Sequence, residues 1–251
     1  MSCREFRRRA AVPIAAVAAL VVQAASVVAF AQQATPAPAA PAGQKDHVAA
    51  IKQSLQASNA ALRQYEWIET TAVSMKGEEK SRTQARCYYG ADGKMQKVPI
   101  GGQPAGDEKK PRGLRGKIVE NKKEEVSDSV KEASALVKQY VPPDPARIQA
   151  AKDEGRLSIT PPDAKGMAQV VIKDYVKAGD SLALALNVTT DTLAGVTVST
   201  FTDQAKDAVG MTIGFASFTD GTIYAATTNL DIAKENLAIA IENTGYKKLS
   251  N

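Results

Sequence analysis

From Met167 onward the chain carries a rhythm that a sheet satisfies and a helix does not. Segments 167–173, 182–188, 196–201, 209–215, 222–229 and 237–242 are short and rich in Val, Ile, Thr and Ala. Turn signals separate them: Ala178-Gly179-Asp180, Thr190-Asp191-Thr192, Thr219-Asp220-Gly221 and Ala233-Lys234-Glu235. Segments of this kind, divided by tight turns, predict consecutive antiparallel strands. So many in a row predict a large sheet that curls toward a barrel.

The first half of the chain adds helices and a meander. Asp46 is a suitable N-cap, and Val48, Ile51, Leu55, Ala61 and Leu62 follow at roughly helical spacing up to Arg63. Ser54, Ser58 and Asn59 read as the wet side of that helix. At Tyr65 the period changes to two, placing Tyr65, Trp67, Glu69, Thr71, Val73 and Met75 on one strand face. Lys76-Gly77-Glu78 and Ala91-Asp92-Gly93-Lys94 are hairpin turns leading to strands at 83–89 and 95–100. A Gly/Pro/Lys-rich breaker at 101–113 precedes a charged helix at 114–140 with one apolar stripe. Pro142-Pro143 stops it, and Asp144 caps a short helix that begins at Pro145 and ends at Gly155. The fold class expected is α+β: a large curved antiparallel sheet, an incomplete barrel, with covering helices. Residues 46–251 are expected to form a single domain carrying a helical insertion at 114–154.

The N-terminus concerns destination. Arg4, Arg7, Arg8 and Arg9 precede an apolar run that closes on Ala29-Phe30-Ala31. A charged start, a greasy segment and a small-x-small site, in that order, predict a secretory signal peptide at 1–31. The apolar run is about long enough to cross a bilayer as an uncleaved anchor, but its alanines and the Ala-Phe-Ala site favour cleavage. Arg7-Arg8-Arg9 continues with Ala10-Ala11-Val12, unlike the usual twin-arginine motif, and Cys3 lies on the wrong side of the run for lipid attachment. Residues 32–45, rich in Pro and Ala, read as a tether that cannot bury a core. The location expected is periplasmic or secreted.

Charge and cysteine content narrow the chemistry. The net charge of +5 falls to +2 once residues 1–31 are removed, with 28 basic against 26 acidic residues. That balance gives no reason to expect a nucleic-acid partner. Lys109, Lys110, Arg112 and Arg115 sit beside Asp107 and Glu108, and Lys117, Lys122 and Lys123 beside Glu120, Glu124 and Glu125, so both groups read as solvated. Cys87 would be the only cysteine after cleavage, which excludes an internal disulfide and fits a small buried hydrophobe. His47 is the sole histidine and stands at a helix start, a poor place for a catalytic base. One Cys and one His cannot supply a zinc site, and no phosphate-cradling or nucleophile-elbow motif occurs. Glu66 and Glu69 fall on opposite strand faces, which disfavours a carboxylate pair acting on one substrate. No enzyme, cofactor or metal is expected.

The order of elements, with Asp191-Thr192-Leu193-Ala194-Gly195-Val196 and the later Phe218-Thr219-Asp220-Gly221-Thr222-Ile223-Tyr224, is similar to the closing hairpins of the periplasmic lipoprotein-carrier group, the LolA/LolB-like architecture. The stretch from Gln64 to Thr71, with Tyr89-Gly90-Ala91-Asp92-Gly93-Lys94, also resembles a set of secreted bacterial proteins without assigned function. The resemblance implies a curved sheet covered by helices around an apolar space. It transfers no site residues position by position, and the insertion at 114–154 is longer than it implies. The function expected is a non-enzymatic envelope protein that holds an apolar ligand, a lipid or a lipidated partner against the concave face. Tyr65, Trp67, Val73 and Met75 are the candidate lining, with Trp67 buried between the first helix and the sheet. The alternative is a structural or protein-interaction module with a fully packed core. N-terminal sequencing of the purified envelope protein checks the export reading. The expected first residue is Gln32, and an intact Met1 refutes cleavage.

Overall fold

The computed structural model describes residues 47–101, 114–204 and 206–249. The signal segment, the tether, the Asp46 cap and the cations Lys109, Lys110 and Arg112 lie outside them, as do the side chains of His47, Arg115, Lys117, Lys122 and Lys123. The chain runs α1 (His47–Leu62), β1 (Tyr65–Met75), β2 (Glu78–Tyr89), β3 (Met95–Pro99), α2 (Leu114–Val137), α3 (Pro145–Asp153), β4 (Leu157–Thr160), β5 (Met167–Lys173), β6 (Ser181–Asn187), β7 (Thr192–Phe201), β8 (Ala208–Ser217), β9 (Ile223–Ile232) and β10 (Leu237–Lys248). All ten strands join one unclosed sheet in the order β3-β2-β1-β10-β9-β8-β7-β6-β5-β4, antiparallel throughout. The expected α+β curved sheet with helices is the observed fold.

Two devices shape the strands. Lys76 (φ 55) and Gly77 (φ 80) both take positive φ, the signature of the type I′ turn whose twist matches its flanking strands. Farther along, Gly195 faces Gly214 across β7 and β8. A Cβ at Gly214 would come within 2.7 Å of Thr227 Oγ1, and one at Gly195 within 3.2 Å of the Ile213 carbonyl. Bulges lie beside this bare pair, between Ala185 and Leu186 and between Gly214 and Phe215. Bulges and glycine gaps are the usual means of bending a sheet.

The inward face is built of cross-strand rows. Val73, Ile239, Leu230, Met211 and Val198 form one; Met75, Leu237, Ile232 and Val209 form the next. The residues from β7 to β10 in these rows are at most 3% exposed. Each such side chain contributes about 1.5–3 kcal/mol on burial. The buried Ala133 and Val137 of α2, with Val126 and Val130, pack on this surface. α1 instead lies against β7 and β9. Its Ser58 is 4% exposed and accepts the backbone N–H of Ile223 at 2.8 Å. The wet-side reading of Ser58 is therefore corrected: a small hydroxyl satisfies the first backbone donor of β9 where the helix meets the sheet.

α2 ends at Val137, three residues short of the expected Tyr140, which is fully buried beyond it. The Tyr140 hydroxyl donates to Asp180 at 2.5 Å and pairs with the Thr200 hydroxyl at 2.7 Å. Asp180, 3% exposed, also accepts the backbone N–H groups of Tyr175 at 2.6 Å, Val176 at 3.1 Å and Lys177 at 2.8 Å. Burial, then the bond to Asp180, raises the pKa of the Tyr140 hydroxyl, which stays a proton donor. Asp144 caps α3 as expected, accepting from the Ala146 N–H, and the sharp stop falls at Gly155 (φ 70). Strand β4 was not anticipated. It is four residues long, with Ile159 65% exposed, at one edge of the sheet, while β3 forms the other edge. Asp180→Ala removes the acceptor from several inward-pointing donors, each costing about 1–3 kcal/mol when left unmet. Urea denaturation is expected to show a loss of about 3 kcal/mol, with Asp180→Asn losing less because one acceptor oxygen remains.

Candidate functional site

Where the end of β10 meets the start of β1, the register slips. Glu66 pairs with Lys247 and Ile68 with Thr244, so Trp67 alone faces both Gly245 and Tyr246. Gly245 takes φ +62, the left-handed conformation that a glycine supplies in one type of bulge. The extra residue inverts the alternation, so Tyr246 joins Asn243 and Ile241 on the inward face and stacks on Trp67 at 5.5 Å between ring centroids. On the other side of β10 a second break occurs. Its pairing with β9 stops at Glu242 and Thr227, whereas β9 continues beside β8 to Ile223 and Ser217. The β8–β9 hairpin thus parts from β10 and carries Phe218 and Tyr224 with it.

Aromatic rings occupy this split. Tyr65 stacks on Phe218 at 5.0 Å, Phe218 on Tyr224 at 4.6 Å, and Tyr224 lies 4.5 Å from Tyr246. Trp67 and Tyr89, 5.9 Å apart, complete a continuous run of six rings. Trp67 is 2% exposed and the other five are partly buried. Separations and tilts of this kind are favourable beyond simple burial. Asn243 bridges the seam: its side-chain oxygen accepts from the Trp67 indole N–H at 3.0 Å, and its amide donates to the Ala225 carbonyl at 2.9 Å. Burial raises the pKa of the Tyr246 hydroxyl, with the tyrosines and Glu69 nearby adding to it, so this end is dry enough to disfavour charge.

Beside the rings stands a buried ion pair. Lys97 reaches from β3 across β2 and donates to both carboxylate oxygens of Glu69 at 2.7 Å, with side chains only 15% and 5% exposed. Cys87 lies in the row of Lys97, between it and Trp67, with no exposed surface. Burial, then the Glu69 carboxylate, pushes its thiol up to about 12, so the sulfur stays protonated and unreactive at neutral pH. Glu66 points the other way and pairs with Arg86 at 3.7 Å, so the two carboxylates do not converge. Among the described residues, no group of three or more His, Cys, Asp or Glu is placed to hold a metal ion.

The candidate lining residues divide between two environments. Tyr65 and Trp67 belong to the ring cluster, whereas Val73 and Met75, farther along β1, pack with the core. The identified partners of Trp67 are Tyr89, Tyr246 and Asn243, on strands rather than on the covering helix. Tyr88, on the opposite face from Tyr89, lies under the Arg86 guanidinium at 5.4 Å. Sequence reasoning missed Tyr246 and Asn243 as partners of Trp67, and Phe218 and Tyr224 as the rings that join Tyr65 to Tyr246. Gly245 was the one local signal, because an isolated glycine in a strand pattern marks a bulge.

No family model and no curated protein matches the sequence. Among solved structures, the chain is similar to a DUF1329 family protein from Desulfovibrio piger, with 8% identity over 82% of this chain and 94% of that one, and a TM-score of 0.38. It is also similar to a LolA superfamily protein from Nitrosomonas europaea, at 7% identity, 78% and 93% coverage and a TM-score of 0.33. A domain from Vibrio parahaemolyticus named for outer membrane lipoprotein sorting matches at 10% identity, 79% and 92% coverage and a TM-score of 0.33.

Proposed function

We propose that the protein is a non-enzymatic binding protein of the cell envelope, exported by its N-terminal segment, which holds an apolar ligand or the acyl part of a lipidated partner. The observation that carries this reading is the ring-filled split between β9 and β10. Five of its six rings keep some exposed surface, and the separated β8–β9 hairpin carries two of them. Beyond Thr227 the hairpin meets β10 through stacked rings and the Asn243–Ala225 hydrogen bond, so it can part from β10 there without breaking a ladder. Large partly exposed rings with few polar groups are the lining that apolar ligands favour.

A second reading, a protein-interaction module with a closed core, is favoured by the inward rows beneath α2. There Val73 and Met75 join a densely buried cluster. Two open depressions lie elsewhere, one around Thr70, Arg82, Asn229 and Glu242, the other around Lys76, Asp231 and Asn236.

Titration with a fluorescent fatty acid separates the two, with Trp67, the only tryptophan, as an internal reporter. Saturable binding that quenches indole emission is expected. Phe218→Ala and Tyr224→Ala should each weaken it about tenfold, the equivalent of roughly 1.4 kcal/mol. Trp67→Ala is the wrong probe, since emptying a buried aromatic site costs about 3–5 kcal/mol of stability. Absence of saturable binding in the native protein would favour the closed module.

A further inference from the structure

We propose that the ring-bearing end of the sheet is a docking surface for an anionic phospholipid bilayer. The inference rests on the envelope location proposed above, but it is carried by four cations and Leu249, with Tyr65 the one ring shared with the stack. Arg63, Lys94, Lys247 and Lys248 are all exposed and gather at this one end. Lys247 and Lys248 are in register with Glu66 and Tyr65, and a Cβ placed on Gly93 would sit 3.7 Å from Arg63 Nη1. None of the four forms an ion pair among the described residues, whereas Glu66 is engaged with Arg86.

The acids of the same end are turned into their own loops. Asp92 accepts the backbone N–H of Lys94 at 3.0 Å. Asp220 accepts that of Thr222 at 2.9 Å, and this bond, with Lys248 near, holds its carboxyl below the usual range. Four exposed cations therefore stand beside Asp92 and Asp220, which are committed to turns, and Glu66, which is paired with Arg86. Leu249 follows the two lysines, 38% exposed, anchored by its N–H to the Gln64 carbonyl at 2.7 Å. Tyr65 lies alongside, partly exposed.

Each component matches a layer of a membrane surface. Clustered Lys and Arg are drawn to anionic headgroups, a tyrosine ring sits favourably at headgroup depth, and a leucine can enter the acyl boundary. Attraction between exposed charges is screened within a Debye length, so contact should weaken as salt rises.

Co-sedimentation of the purified protein with two kinds of vesicle tests the surface, phosphatidylcholine alone and phosphatidylcholine mixed with phosphatidylglycerol. Retention on the mixed vesicles only, lost at high salt, is expected. Neutralising each lysine should weaken it roughly fivefold, so K247Q/K248Q together should lower it about 25-fold, and Leu249→Ser should lower it further. Circular dichroism checks the fold. Should the double variant misfold, R63Q/K94Q provides the same reading from other elements. Equal retention on both vesicles, no retention on either, or unchanged retention of the folded variants overturns the proposal. Fatty-acid binding measured on the same samples keeps the two ideas apart. Ligand binding without vesicle retention removes the docking surface and leaves the ring site standing. Vesicle retention without ligand binding does the reverse.

Discussion

The ladder between β1 and β10 is the interaction on which the rest of the structure depends. It joins the first strand of the sheet to the last and sets Met75 opposite Leu237 and Glu69 opposite Asn243. Without it the three-strand meander and the seven strands from β4 to β10 would be separate sheets with two additional open edges. The rows that α2 covers cross this ladder, as does the ring cluster. Pairing residues so far apart in sequence means closing a very long loop before any contact rewards it, which makes such topologies slow to form.

The ladder's single bulge explains why Trp67 has the neighbours it does. In an unbroken strand, Tyr246 and Asn243 would face opposite sides of the sheet. One glycine in the left-handed region brings both to the same side, one as a stacking partner and the other as a hydrogen-bond acceptor for the indole. Lys97 stands in the row of Trp67 and Glu69 in that of Asn243, their charges satisfied by each other. Removing one partner from such a buried pair would be far more damaging than replacing both.

Much of the fold was legible because period and punctuation are local. The hairpin at Lys76-Gly77, the face shared by Trp67, Glu69 and Thr71, and the Asp144 cap are all set by residues a few positions apart. The site was legible only in part. Tyr65 and Trp67 could be placed on the inward face of β1, but their partners beyond Tyr89 come from 218–246, and only long-range register decides that meeting. Ser58 was misassigned because helical periodicity identifies an apolar face and cannot foresee a backbone donor at the tip of a distant strand. Asp180 looked like an ordinary turn residue, since nothing adjacent in sequence reveals that Tyr140 approaches it. β4, short and exposed, lacks the apolar alternation by which strands are recognised.

The two terminal strands carry a further consequence. A sheet with free edges can add strands from other chains, and an exposed isoleucine at an edge makes that easier. Here β3 closes with Pro99, whose nitrogen has no hydrogen to offer, and the four residues of β4 run directly into Pro161-Pro162. Neither edge offers an incoming strand more than a few residues to copy before imide bonds interrupt the template. At high local concentration these prolines would help such a sheet remain a single molecule instead of seeding a fibril.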